Sequence, residues 1–159
     1  MNIPKSKNNR VWKICFFLYL ILIIRFIIFK YPMEQLLEIA KGWKKEVILE
    51  GLNTANFTLG KSIKMYIRYF HRFPFWNGMA NLFGNFFAFI PLGILFPLCY
   101  DIKHIKRVTF LFSFLFIISI EMFQLFSAFG VFDVDDILLN VLGSMIGGLL
   151  YEAAIRKEK

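Results

Sequence analysis

The sequence predicts an all-α integral membrane bundle of about four transmembrane helices, with amphipathic interfacial helices between the first and the second. Three observations carry this. The chain is 58% hydrophobic and 19% aromatic, with a mean hydropathy of +0.58, whereas soluble domains are about 45–50% apolar. Its apolar residues fall in blocks rather than along a helix-period or strand-period stripe. Its Lys and Arg residues gather beside those blocks, where they act as orientation signals and as contacts for anionic lipid. A length of 159 residues allows one domain. The net charge of +8 comes with no RNA-binding or helix-turn-helix pattern, so nucleic acid is not an expected partner and membrane lipid is. Cys15 and Cys99 lie in apolar runs and make no disulfide framework.

Residues 1–13 are a basic N-terminus carrying Lys5, Lys7, Arg10 and Lys13. The first apolar run, Ile14–Phe29, reads as a transmembrane helix over 14–30. It ends in Lys30-Tyr31-Pro32-Met33-Glu34 with no small-x-small cleavage site, which favours an anchor over a cleaved signal. Arg25 interrupts it. Residues 31–78 are a connecting segment with two amphipathic pieces. In Glu34–Glu50, Leu36, Ile39, Ala40, Trp43 and Val47 recur at helical spacing. In Lys61–Arg72, Ile63, Tyr66, Ile67 and Phe70 oppose Lys61, Lys64, Arg68, His71 and Arg72. A basic amphipathic stretch followed by Phe73, Phe75 and Trp76 suits a membrane interface. Asn53–Asn56 reads as the loop between the pieces.

Residues 79–155 hold three further runs, Met79–Tyr100, Val108–Phe129 and Ile137–Ile155. Each can cross about 30 Å of hydrocarbon at about 1.5 Å per residue. Lys103, His104, Lys106 and Arg107 make a basic turn after the first of these, and residues 156–159 are a basic tail. The Gly130–Asp136 turn has no Lys or Arg. This asymmetry predicts a multi-pass protein with both termini cytoplasmic and the Gly130–Asp136 turn outside. The connecting segment also holds Lys and Arg, but it is longer and its amphipathic pieces account for them.

On that topology the polar residues within the spans collect in the outer half. Asn77, Asn81 and Asn85 descend one face of the second helix at i, i+4, i+8. Glu121 and Gln124 share a face of the third, and Asp136 and Asn140 a face of the fourth. Arg25 is set at similar depth and is a possible match for Glu121. An ionised group in hydrocarbon costs a few kcal/mol or more, so each of these is paired, hydrated or useful. Two readings stand for the amides: interhelical hydrogen bonds, or a binding site. Asp136 reads either as the cap of the fourth helix or as part of that site. Asp133 and Asp135 read as solvated loop residues or as further members of the cluster. No EF-hand spacing accompanies the aspartates, so no metal is expected, and nothing calls for a cofactor. Pro91 predicts a kink, and Gly143-x-x-x-Gly147 predicts close helix packing on the Asn140 face.

Three blocks carry a family resemblance. They are Asn81-Leu-Phe-Gly-Asn85 running into Phe89-Ile-Pro91-Leu-Gly93-Ile-Leu-Phe-Pro97, then Ser119-Ile-Glu121-x-x-Gln124, then Phe132-Asp-Val-Asp-Asp136-Ile-Leu-Leu-Asn140-x-x-Gly143. Over about residues 77–150, in this order, the chain resembles the VanZ family. Many members have an arginine in the turn before the aspartates, where this chain reads Ser127-Ala-Phe-Gly-Val-Phe. The resemblance implies a bacterial cell-membrane protein. The family is named for a protein associated with lowered susceptibility to teicoplanin-type glycopeptides, which makes glycopeptide resistance an implied function.

Two functions follow. The first is engagement of a cell-envelope component (a cell-wall precursor, lipid head group or glycopeptide) by Asn81, Asn85, Glu121, Gln124, Asp133, Asp135, Asp136 and Asn140. The second is an intramembrane enzyme acting on a lipid-linked substrate, with Glu121 as the candidate catalytic acid or base. Against the second, the spans lack a catalytic His, a zinc-binding helix motif and a nucleophile paired with a base. An assembly role for the glycine face is a third reading.

Overall fold

The computed structural model describes residues 9–28, 32–68, 75–100 and 102–157, with the backbone alone for 9, 27–28, 75–81 and 157. Hydrocarbon offers no partner for backbone N–H and C=O groups, so each apolar run satisfies its own by coiling into a helix. The predicted all-α membrane bundle is what forms. Its long helices are α1 (Asn9–Ile28), the pair α5 (Phe75–Ala88) and α6 (Ile90–Cys99), α7 (Ile105–Ser127) and α8 (Val134–Lys157). Leu82–Cys99, Ile105–Ser127 and Val134–Arg156 are each long and apolar enough to cross a membrane. Apolar α1 joins them, burying Phe16 and Ile23 in the core while Phe17, Leu18, Leu22 and Phe26 stay exposed. Exposed Phe, Leu and Ile also cover the free faces of α7 and α8, the pattern of helices solvated by lipid.

The bundle has two unlike ends. Lys103, Lys106, Arg107 and Arg156 mark a basic end, where Glu152 takes ion pairs from Lys106 at 3.7 Å and Arg156 at 2.8 Å. These are surface pairs worth little to stability. Asp133, Asp135 and Asp136 mark the opposite, aspartate end, where α7 finishes and α8 begins.

The connecting segment departs from expectation in detail. Glu34–Glu50 is two helices, α2 (Met33–Lys41) and α3 (Lys45–Thr54), because the helix ends at Gly42 and Lys44 is extended at φ −139°. α3 continues through Asn53 and Thr54, where Thr54 Oγ1 donates to Glu50 O at 3.0 Å. The loop expected at Asn53–Asn56 therefore lies at residues 55–60. The second piece is α4 (Lys61–Arg68), and the rest of it, 69–72, lies outside the described residues. Leu36 is buried, and Trp43 Nε1 donates to Phe126 O at 2.9 Å, which docks the segment on the end of α7.

The kink expected at Pro91 is a full break between α5 and α6 at Phe89. Pro91 has no N–H to offer Phe87. Leu92 N turns back to Phe89 O at 3.1 Å rather than to Ala88 O. Ala88 O takes its hydrogen bond from Tyr19 OH on α1 instead, at 2.8 Å. Tyr19→Phe is expected to lower stability by about 1–3 kcal/mol, since a part-buried carbonyl loses its donor. A thermal melt in detergent checks this, and an unchanged midpoint would mean that another donor reaches Ala88.

The glycine face of α8 packs as expected. A Cβ at Gly143 would lie 2.0 Å from Phe86 O, one at Gly147 2.0 Å from Ile90 O, and one at Gly93 1.8 Å from Ser144 O. Here α8 touches the backbone of α5 and α6 directly, which only glycine permits. On the other side of α8, Ser113 and Ser144 share a buried Oγ–Oγ hydrogen bond, and Thr109 lies against Gly148.

Candidate functional site

Those contacts fix the register of the polar residues. α7 and α8 are antiparallel, with Ser113 facing Ser144 and Thr109 beside Gly148. Eight residues toward the aspartate end from Ser113 is Glu121, and eight from Ser144 is Asp136. Glu121 and Asp136 therefore occupy one level, with Asn140 about one turn below on the Asp136 face. α5 and α6 run parallel to α8, with Phe86 against Gly143 and Ile90 against Gly147. That register brings Asn85 within about one turn of Asn140.

Glu121 is 1% exposed, Gln124 2%, Asn140 2% and Asn85 8%. Glu121 Oε2 accepts the backbone N–H of Asp133 at 3.1 Å. Gln124 presses its amide against Gly130, where a Cβ would lie 2.6 Å from it. Asn140 Oδ1 is buried and has no hydrogen-bond partner among the described residues. Asp136 is half-buried. The structure thus gathers Asn85, Glu121, Gln124, Asp136 and Asn140 at the aspartate end of three helices. The side chain of Asn81 lies outside the described residues, although its backbone is in α5.

Asp133 and Asp135 are not solvated loop residues. Asp133 Oδ1 accepts Asn56 Nδ2 and the Asp135 N–H, each at 2.8 Å, and Oδ2 accepts the Ser62 hydroxyl. Asp135 is 1% exposed and accepts the backbone N–H groups of Gly60, Ser62 and Ile63. It thereby caps the N-terminus of α4 from another helix, where a carboxylate is favoured. The cap of α8 itself is Asp133 rather than Asp136: its side chain takes the Asp135 N–H and its carbonyl takes those of Asp136 and Ile137. Asn56 N donates to Phe132 O at 2.8 Å and Val134 N to Asn56 O at 3.0 Å, the parallel bridge that ties residues 55–63 across the aspartate turn.

Asn56, Gly60 and Ser62 were not expected in this arrangement. A partial signal lay in Asn56-Phe57-Thr58, because Asn56 Oδ1 accepts the Thr58 N–H in an Asx turn. Nothing local could have paired that turn with an aspartate 77 positions later. The ion pairs that Glu152 makes with Lys106 and Arg156 lie at the basic end, away from Glu121. Arg25 is exposed on α1. Groups of three or more His, Cys, Asp or Glu able to hold a metal are absent among the described residues.

No solved structure and no curated protein matches the chain. The VanZ/LLP1 family model matches residues 16–155, nearly the whole chain and well beyond the three blocks that carry the resemblance. With its apolar helices and the polar layer that those blocks build, this match makes the chain a membrane protein of the VanZ/LLP1 family.

Proposed function

We propose that this protein engages a cell-envelope component, such as a cell-wall precursor, a lipid head group or a glycopeptide, through the layer formed by Asn85, Glu121, Gln124, Asp136 and Asn140. The observation that carries the reading is the Asn140 amide, 2% exposed, whose Oδ1 has no partner among the described residues and lies about one turn below the level of buried Glu121. Buried polar atoms are ordinarily satisfied, and an exception in a polar layer is what a ligand atom would fill. Asp133 and Asp135 serve this layer indirectly, since Asp133 presents its N–H to Glu121 while both hold residues 55–63 in place. In this reading the protein sits in a bacterial cell membrane with cytoplasmic termini, and lowered susceptibility to teicoplanin-type glycopeptides is its cellular effect. The alternative of an enzyme with Glu121 as general acid or base draws support from the burial of that carboxylate.

Glu121→Gln, Asp136→Asn and Asn140→Ala are each expected to weaken binding of a fluorescent glycopeptide or lipid-linked wall precursor by about tenfold or more, the scale of one hydrogen bond involving a charged group. Insertion into the membrane should be unchanged. Full retention of binding by all three inserted variants would reduce the layer to a structural role. Conversion of the precursor to a new species, abolished by Glu121→Gln, would select the enzyme.

Orientation is tested separately. Val134 lies under residues 55–63, whereas Val131 is 52% exposed in the same turn. In a Cys15→Ser background, Val131→Cys is expected to react with a membrane-impermeant thiol reagent in intact cells. Reaction only after lysis would place the aspartate end in the cytoplasm.

A further inference from the structure

A groove of about 480 Å³ lies between α2 and the end of α7, lined by Ala40, Trp43, Phe123, Phe126, Ser127 and Phe129. At 3.6 residues per turn, Phe123 and Phe126 lie about 200° and about 140° around α7 from Glu121. The groove therefore opens on the side of α7 away from the polar layer, and the two are separate places.

Its walls are fixed. Trp43 Nε1 donates to Phe126 O at 2.9 Å, and a Cβ at Gly51 would lie 2.5 Å from Leu125 O. The α2–α3 joint and α3 thus rest directly on the last turn of α7. Ser127 Oγ accepts the Phe129 N–H at 3.2 Å. With Phe126 O and Ser127 Oγ engaged in this way, the surface on offer is mainly aromatic. Trp43, Phe123 and Phe126 are nevertheless 45%, 43% and 44% exposed. They stand at the end of the Ile105–Ser127 span, where hydrocarbon gives way to head groups and where Trp is at home.

The rim of the groove is basic. Lys41 follows Ala40, and Lys44 and Lys45 follow Trp43, so three cations fall within residues 41–45. All three are exposed, and no ion pair engages them among the described residues. The acids nearest in the chain are Glu38 and Glu46, with none between them. Glu38 stands about 200° around α2 from Ala40, on the side away from the groove, and Glu46 lies in the first turn of α3. Apolar surface with cations at its edge, at the level of head groups, complements a molecule with a hydrocarbon tail and an anionic head. A zwitterionic lipid would gain the tail contacts without the net attraction. A soluble anion would gain the lysines without the groove.

We infer that this groove binds an anionic phospholipid, with one acyl chain against Trp43, Phe123, Phe126 and Phe129 and the phosphate at Lys41, Lys44 and Lys45. The lipid completes the seat of α2 and α3 on α7, because its chain shields the Trp43 to Phe126 hydrogen bond from water.

The experiment reads Trp43 fluorescence in the full chain, with Trp12→Phe and Trp76→Phe leaving it as the sole tryptophan. The protein is placed in phosphatidylcholine nanodiscs that contain a small share of lipid brominated on its acyl chains, since bromine quenches tryptophan on contact. Brominated phosphatidylglycerol should reach half-quenching at about one-tenth the mole fraction that brominated phosphatidylcholine requires. Both leaflets of the disc carry the probe, so the result does not depend on which way the aspartate end faces. Replacing Lys41, Lys44 and Lys45 together by Gln should cut the preference to about twofold or less. Replacing Lys61, Lys64 and Arg68 of α4 by Gln removes as much charge from another exposed surface and should leave it intact. Glu121→Gln, which alters the polar layer, should also leave it intact, so failure here and failure of the proposed function are read separately. Ala40→Phe, which fills the groove from an exposed position, should weaken quenching by both lipids. Native mass spectrometry of the unsubstituted chain supplies a reading that needs no Trp replacement: phosphatidylglycerol should remain bound through detergent exchange where phosphatidylcholine is lost.

Equal quenching and equal retention of the two lipids would overturn the inference and leave the groove to ordinary bulk lipid. A preference that survives loss of the three lysines would overturn it too, as would one that falls equally with the α4 charges, which would mark a general attraction of the basic protein. Absence of quenching by either lipid, with no lipid retained, would give the groove to a second copy of the chain instead.

Discussion

Gly143→Val should leave almost no folded protein in the membrane. The added Cβ alone would lie 2.0 Å from Phe86 O, and the obstacle is backbone, so no rotamer change can move it aside. α8 would have to retreat from α5, taking Asn140 out of register with Asn85 and loosening the contacts of Gly147 with Ile90 O and of Gly93 with Ser144 O. Overpacking a core ordinarily costs about 1–3 kcal/mol, and a forced separation of helix backbones belongs at or above the top of that range. Against a total stability of about 5–15 kcal/mol, this is a large fraction. Recovery of monodisperse protein in mild detergent is the measurement. Gly84→Ala is the control, because a Cβ there meets nothing within 4 Å. A helical Gly→Ala change in open space should be neutral or stabilising by up to about 1 kcal/mol. Equal recovery of the Gly143→Val and Gly84→Ala proteins would show that the close approach is dispensable.

Asp135→Ala should have the second-largest effect, and a local one. It strands the N–H groups of Gly60, Ser62 and Ile63 at the start of α4, and the side chain removed is 1% exposed. Hydrogen bonds to a charged group contribute about 1.5–3 kcal/mol each, although three on one carboxylate do not add in full. A loss of about 3 kcal/mol is enough to open residues 55–63 while the backbone contacts of α5, α6 and α8 hold the bundle. Hydrogen exchange in that segment should rise by about two orders of magnitude, with exchange in α7 and α8 nearly unchanged. Uniform acceleration across all helices would mean instead that Asp135 supports the whole fold. Asp133→Ala is expected to open the same segment and also to perturb Glu121, since the Asp133 N–H is its donor.

The long helices were legible because membrane spans announce themselves by block hydropathy, which needs no knowledge of partners. The glycine face was legible for a similar reason: Gly143-x-x-x-Gly147 has one economical use in a membrane helix. Pro91 located a break that the structure sets at Phe89, since the proline removes a donor and leaves the turn before it to reorganise. The connecting segment was less legible. Its apolar spacing ran through Gly42, and spacing alone does not reveal that a helix stops and restarts. The roles of Asp133 and Asp135 were hidden altogether, because they depend on Asn56, Gly60 and Ser62 arriving from more than 70 residues away. Sequence patterns report which groups are polar, whereas the question of which are already satisfied is answered only by tertiary contacts.

The bond from Tyr19 to Ala88 bears on how such a protein is made. The donor lies on α1, which leaves the ribosome before the acceptor, 69 residues later in the chain. When the broken α5–α6 unit enters the bilayer, the Ala88 carbonyl has no helical partner of its own, and hydrocarbon supplies none. α1 must therefore already stand beside the insertion site, where it acts as a template that receives the broken span. A chain synthesised without residues 1–28 would present α5 and α6 to the lipid with that carbonyl bare. Co-expression of the missing helix as a separate fragment should then restore insertion only when the fragment carries tyrosine at position 19.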